Sequence, residues 1–292
     1  MGEHCREVVS TTGATDLMLT DSHCHLTSRQ FVDDTSAVIA RAEDAGVRRM
    51  VTIGCDLKDS PRCIELAARH EAVHAAVGIH PCSVTEVTDD YWLEKIRSLA
   101  GQPGVVAIGE IGLDYFHAAP EGWTEEDYHS RQAEFFTAQL GLAAELGLNI
   151  VVHQRDKGVR CWRDIIELVT PFHGKLRAVF HCFTHSWSEA KPLVEHGHLI
   201  SFTGITTFKS AKEMQQCATD AEVGSFMVET DAPYLAPAPH RGKRCEPAYT
   251  RHTAEFIAKL RGISVAQLAA ETERTADSFY RFANDGRSPV TA

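Results

Sequence analysis

The chain has 292 residues, 43% of them hydrophobic and 24% charged, a balance that suits a globular protein with a substantial core and excludes a disordered or fibrous one. Its formal net charge of −11 opposes binding modes that depend on neutralising many phosphates of a long duplex. No stretch approaches the ~20 apolar residues of a membrane span, and the nine cysteines include no CxxC pair, which argues for free thiols in the cytosol or nucleus rather than a disulfide framework or a thiolate zinc site.

Residues 1–16, "MGEHCREVVSTTGATD", lack the apolar centre of a signal peptide, and Arg6 stands where a myristoylation signal needs Ser or Thr; they read as a polar leader. Beyond them, short β-branched runs alternate with longer amphipathic segments. The predicted strands are "LMLTDSH" (17–23), "RMVTIG" (49–54), "HAAVGIH" (74–80), "VVAIGEIG" (105–112), "NIVVHQ" (149–154), "RAVFHCF" (177–183), "LISFTG" (199–204) and "SFMVETD" (225–231). Helical patterns lie between them, several closing on Gly46, Gly101, Gly147 and Gly197, where left-handed caps are expected. The stretch 250–282 reads as two more helices.

Near-continuous apolar strands joined by helices imply a parallel sheet covered on both faces. Eight such units predict an α/β chain folded as a (β/α)8 TIM-type barrel with flanking C-terminal helices, a single domain over 17–283 with a tail at 284–292, and nothing demands more than a monomer. An open doubly wound sheet is the structural alternative.

Barrels of this kind keep their active sites at the C-terminal ends of the strands. There the sequence places His23 and His25 after strand one, Glu110 at strand four, His153 at strand five, His181 at strand six and Asp231 at strand eight. Each residue alone reads as a surface or capping group. Together, imidazoles and carboxylates in these numbers suit two divalent cations, with Glu110 as the bridge because a carboxylate can offer one oxygen to each. The histidines favour Zn²⁺ or Mn²⁺, and carboxylate and water leave room for Mg²⁺. Such a pair supplies an activated water and clamps a phosphoryl or carbonyl oxygen.

The segments "DSHCHL", "GEIGLDY", "VVHQRD", "FHCFTHS", "VETDAPYLAP" and "HRGKRCEPAYT" resemble, in order, the motifs of the TatD-type deoxyribonucleases, a metal-dependent branch of the amidohydrolase superfamily. The resemblance implies a TIM-type barrel with metal-dependent 3′-to-5′ exonuclease or endonuclease activity on DNA, in repair or degradation. Carried over by motif, His23, His25 and Asp231 hold one metal, His153 and His181 the other, and Glu110 bridges both. Two positions depart from the family pattern: His185 stands where a small Gly is common, and Cys245 replaces the usual Asn, which bears on substrate contacts.

On this reading Asp231 takes the proton of the attacking water, and DNA is engaged at a single strand or an end. Arg155, two residues after His153, and Arg241 within "HRGKR" (240–244) are candidate phosphate contacts, and His80 in "GIHP" a candidate substrate contact. Asp114 and Tyr115, outside the ligand set, either support Glu110 from behind or only shape the turn. By strand alternation Cys24 and Cys182 point away from the metals. Two rival functions remain: hydrolysis of a small phosphoester, lactone or amide on the same scaffold, and a non-catalytic metal-stabilised scaffold, whose mark would be a lost ligand.

Overall fold

A computed structural model describes residues 17–287; the expected leader and the last five residues lie outside the described part. Eight strands alternate with helices: β1 (Leu19–Cys24), α1 (Thr35–Asp44), β2 (Val47–Ile53), α2 (Asp59–Arg69), β3 (Val73–Val77), α3 (Trp92–Ala100), β4 (Val105–Asp114) and α4 (Glu125–Leu146) form the first half. The second half is β5 (Asn149–Arg155), α5 (Arg160–Val169), β6 (Ala178–Phe180), α6 (Trp187–Glu195), β7 (Leu199–Phe202), α7 (Lys212–Asp220), β8 (Phe226–Val228), α8 (Thr250–Arg261) and α9 (Val265–Tyr280). The strands pair in sequence order, all parallel. Past β8 the backbone returns to β1: Asp231 N–H donates to His23 O and His25 N–H to Ala232 O, so the barrel is nearly closed. The open-sheet alternative is excluded.

Two cores follow from the period-two alternation of the strands. Met50, Ile108, Ile150, Val152, Phe180, Ile200, Phe202 and Val228 face outward against the helices. Val51, Ile53, Ala76, Val151, Val179 and Met227 face the barrel axis, where Phe279, Tyr280 and Phe282 meet them. The two C-terminal helices therefore differ in role. Helix α8 completes the outer ring, whereas α9 and the turn after it close the mouth at the strand N-termini, through Asn149 Nδ2 donating to Phe279 O (2.6 Å) and Tyr280 Oη donating to Ser22 O (2.8 Å).

The strand boundaries differ from expectation in one informative place. Glu110 does not end β4; the strand slips register between Ile108 and Ile111 and runs on to Asp114, pairing Gly112 with His153. Buried amides on α4 fix these ends. Gln132 accepts from Asp114 N–H (2.8 Å) and donates to Asp114 O (3.1 Å), and Gln139, on the same helix face, does the same for Ile79 (2.8 and 3.2 Å). Of the expected left-handed caps, Gly46, Gly147 and Gly197 have positive φ, but Gly101 does not (φ −83°); the turn reverses at Gly104 instead.

Gly112, at φ +142°, has no room for a Cβ, which would lie 2.1 Å from His153 O. Gly112→Ala is expected to lower urea-unfolding stability by at least about 2 kcal/mol, since both strain and overlap act at one residue. A second expectation concerns His198, fully buried, whose Nδ1 accepts from Ala178 N–H at 3.0 Å. Burial, then His173, His196 and Arg177, push its pKa down to about 4 from 6.5. The unfolded chain thus binds the proton first, so the contribution of neutral His198 is complete above about 6.5 and fades as pH falls to 4, by up to about 3 kcal/mol. Urea midpoints of His198→Asn, which keeps an acceptor but does not titrate, should fall less steeply over that window than those of the wild type.

Candidate metal centre

The alternation that builds the inner core also builds the site. One step beyond inward-facing Val151 stands His153, one step beyond Val179 stands His181, and Met227 is followed on the same face by Glu229 and Asp231. His23 and His25 come from the end of β1 and the residue after it, and Glu110 from the irregular middle of β4. Cys182 (φ 47°) and Asp231 (φ 59°) hold the left-handed conformation, each at a cost of about 1–2 kcal/mol. The surroundings fix both: Cys182 N–H donates to Glu229 Oε1 at 2.7 Å, and Asp231 N–H to His23 O at 2.9 Å.

The six residues read from the sequence converge. Glu110 is buried, and its two oxygens face different partners. Oε2 lies 3.4 Å from His23 Nε2 and 3.8 Å from His25 Nε2; Oε1 lies 2.7 Å from His153 Nδ1 and 2.8 Å from His181 Nε2. Asp231 Oδ1 joins the first group, 3.3 Å from His25 Nε2 and 3.6 Å from His23 Nε2. His80 joins the second, with Nε2 3.6 Å from Glu110 Oε1.

Electrostatics bind the set together. Burial alone would raise the Glu110 carboxyl, but His181, His23, His80 and the hydrogen bond with His153 outweigh it and hold it well below the ordinary carboxylate range. Asp231 is likewise held low against its burial, by His25 and His23. Burial and neighbouring His153 push His80 down to about 3, so its ring is neutral. Asp21 goes the other way: burial raises it to about 8, and it accepts from Thr230 Oγ1 (2.5 Å) and Thr230 N–H (2.9 Å), pinning the Asp231 segment to β1.

Several sequence expectations change. Asp114 supports His153, not Glu110: its Oδ2 lies 2.9 Å from His153 Nε2, leaving Nδ1 toward Glu110, while Tyr115 turns away to donate to Asp164 (2.9 Å). Arg155 and Arg241 stand exposed with their guanidiniums over the rings of Phe116 (4.2 Å) and Phe208 (4.3 Å), not among the seven clustered groups. Arg244 of the same basic run is committed to Asp34 and Glu246 (2.8 and 2.9 Å), so it ties the loop to the α1 entry instead of facing the site. His185 stacks on Trp162 and bonds Gln154 (3.0 Å), and Cys245 is buried. As expected, Cys24 and Cys182 turn their sulfurs aside, to Val51 O and Thr203.

Glu229 is the site residue that sequence reasoning missed. Its Oε2 accepts from Ser201 Oγ (2.5 Å), its Oε1 from Cys182 N–H, and Oε1 lies 3.5 Å from His181 Nδ1. The signal was present, since Glu229 sits two residues before Asp231 on the inward face.

Metal ions fit this donor set. His23 Nε2 and His25 Nε2 lie 3.3 Å apart, close to the roughly 3.3 Å that two nitrogens keep around one tetrahedral cation. Asp114 orients the outer ring nitrogen of His153, the support that metal-ligating imidazoles need, and the Glu229 carboxylate faces that of His181 at 3.5 Å.

Comparison with known proteins agrees. The family model described as TatD related DNase matches residues 20–281. The chain belongs to the TatD family. This TatD-family chain is similar to an uncharacterized metal-dependent hydrolase, YabD of Bacillus subtilis, at 34% identity over 265 residues, covering 90% of this chain and 99% of that one. A relative from Enterobacter lignolyticus named 3′-5′ ssDNA/RNA exonuclease TatD is 36% identical over 268 residues, covering 89% and 98%. The solved structure of YjjV, a TatD homologue from Escherichia coli, superposes with a TM-score of 0.81 at 25% identity, covering 90% of this chain and 98% of that one. The protein is thus a metal-dependent hydrolase acting on ester bonds, built on the (β/α)8 barrel. Among the described residues, no helix is long and apolar enough to cross a membrane.

Because Glu229 faces the His181 ring and accepts from the left-handed turn at Cys182, Glu229→Gln should weaken divalent-metal binding about 10- to 100-fold with the fold retained, measured by chelator competition beside circular dichroism.

Proposed function

We propose that the protein hydrolyses DNA phosphodiester bonds from the 3′ end of a single strand, using two divalent cations (Mg²⁺, Mn²⁺ or Zn²⁺). The observation that carries this reading is the division of the Glu110 carboxylate, one oxygen toward His23 and His25 and the other toward His153 and His181. His23, His25 and Asp231 would hold one cation, His153 and His181 the second, and Glu110 both. Bound there, the cations supply an acidified water and positive charge against phosphoryl oxygens. The relative named as an ssDNA/RNA exonuclease supports the choice of substrate.

The chain's own groups do the rest. Asp231, ionised at neutral pH, accepts the proton of the attacking water as the new phosphorus–oxygen bond forms; the bond from phosphorus to the 3′ sugar oxygen of the shortened strand breaks, and that oxygen takes up a proton from solvent. His80 Nδ1 accepts from Cys82 N–H (3.0 Å), so the neutral ring carries its proton on Nε2. It therefore acts as a donor, toward Glu110 or a phosphate oxygen, and not as a ligand through that nitrogen. Arg155 and Arg241, exposed and backed by aromatic rings, are candidate contacts for the strand's backbone. Eight described cysteines are free thiols, which supports a reducing compartment, the cytosol or nucleus.

The test is digestion of a 5′-labelled single-stranded oligonucleotide by metal-stripped protein with Mg²⁺, Mn²⁺ or Zn²⁺ restored. A ladder shortening from the 3′ end is expected, slowed at least about 100-fold in Asp231→Asn. Folded, loaded protein that leaves the strand intact with all three metals overturns the reading.

A further inference from the structure

Beside the centre, sharing the Asp114 oxygen that meets His153, stands a second group of ligand-type atoms that no step above uses. Cys82 Sγ, an Asp114 carboxylate oxygen and a His117 ring nitrogen all lie within 4.8 Å of one another. They come from separate segments. Cys82 lies in the short 3-10 turn Pro81–Glu86 after β3, held by its N–H to His80; Asp114 ends β4; His117 follows in the next loop. His117 Nδ1 is 3.0 Å from Asp114 Oδ2 and 3.8 Å from Cys82 Sγ. Around one tetrahedral zinc, nitrogen and oxygen ligands stand roughly 3.3 Å apart and sulfur and nitrogen roughly 3.6 Å.

We propose that Cys82, Asp114 and His117 form a third divalent-cation site, selective for a thiophilic ion such as Zn²⁺, next to the dinuclear centre. On binding, the Cys82 thiol loses its proton to solvent, the neutral His117 ring carries its proton on Nε2 so that Nδ1 ligates, and Asp114 ligates while still accepting from His153 Nε2. A plain capping role for His117 accounts for its contact with Asp114 but gives the Cys82 sulfur no part. Three protein ligands leave the fourth position open. His117 is 51% exposed, so that position faces solvent, and beside it Arg155 and Lys157 stand over Phe116 (4.2 and 5.0 Å). The open position thus takes water or an anionic oxygen such as a phosphate. The link to the main centre runs through Asp114 and His153, whichever ester that centre cleaves.

The dinuclear centre offers only nitrogen and oxygen ligands, so a thiolate-to-metal charge-transfer band on titrating metal-stripped, full-length protein with Co²⁺ reports the third site without reading activity. The expected result is about three cobalt ions per chain with a near-ultraviolet thiolate band. Cys82→Ser and His117→Ala should each remove the band and lower the count to about two, with unchanged circular dichroism. Cys55→Ser is the control, since its sulfur lies 3.7 Å from His25 Nδ1 and is the other thiol near the centre; it should keep the band. Absence of a band in the wild type, its persistence in Cys82→Ser, or its loss in Cys55→Ser alone overturns the proposal. Failure of DNA cleavage bears on none of these outcomes.

Discussion

A buried carboxylate is costly: taken from water without partners, it loses several kcal/mol of hydration. Glu110 is buried at the centre of the barrel mouth, and it stays ionised because five imidazoles surround it, two on one oxygen and three on the other. That arrangement demands that β1, β3, β4, β5 and β6 end at matched heights. Much of the surrounding structure meets the demand. The α4 amides clamp the chain at the ends of β3 and β4, Gly112 lets β4 lie against His153, Asp114 orients the His153 ring, and Glu229 holds the turn that follows His181.

The legible part of the sequence is the part governed by period two. Val151–His153, Val179–His181 and Met227–Asp231 each read as an inward apolar residue followed by an inward polar one, so strand type and site were visible in the same residues. Glu229 obeys the same rule and was overlooked because a glutamate next to a threonine and an aspartate reads as ordinary polar sequence. β4 was harder. Its register slip breaks the alternation, so the sequence pattern closes the strand at Gly112 with Glu110 near its end, whereas the strand continues to Asp114, which therefore meets His153 and not Glu110.

The basic run after Asp231 shows a different limit. In the sequence, "HRGKR" is a cluster of cations near a candidate catalytic residue. In the fold, Arg244 meets Asp34, a partner 210 positions away that no local pattern announces. Hydrogen bonds from Arg244 and Arg41 hold the Asp34 carboxyl below its usual range, so this pair anchors a loop and leaves Arg241 to stand over Phe208. Charge is readable from sequence; its commitment is not.

Helix α9 and the turn after it plug the mouth opposite the histidines with Phe279, Tyr280 and Phe282. The barrel is therefore a blind well and not a tunnel. A polymer cannot be threaded through it, and whatever enters must back out by the door it came in. Reactant and product share that single doorway, so each departure clears the way for the next arrival.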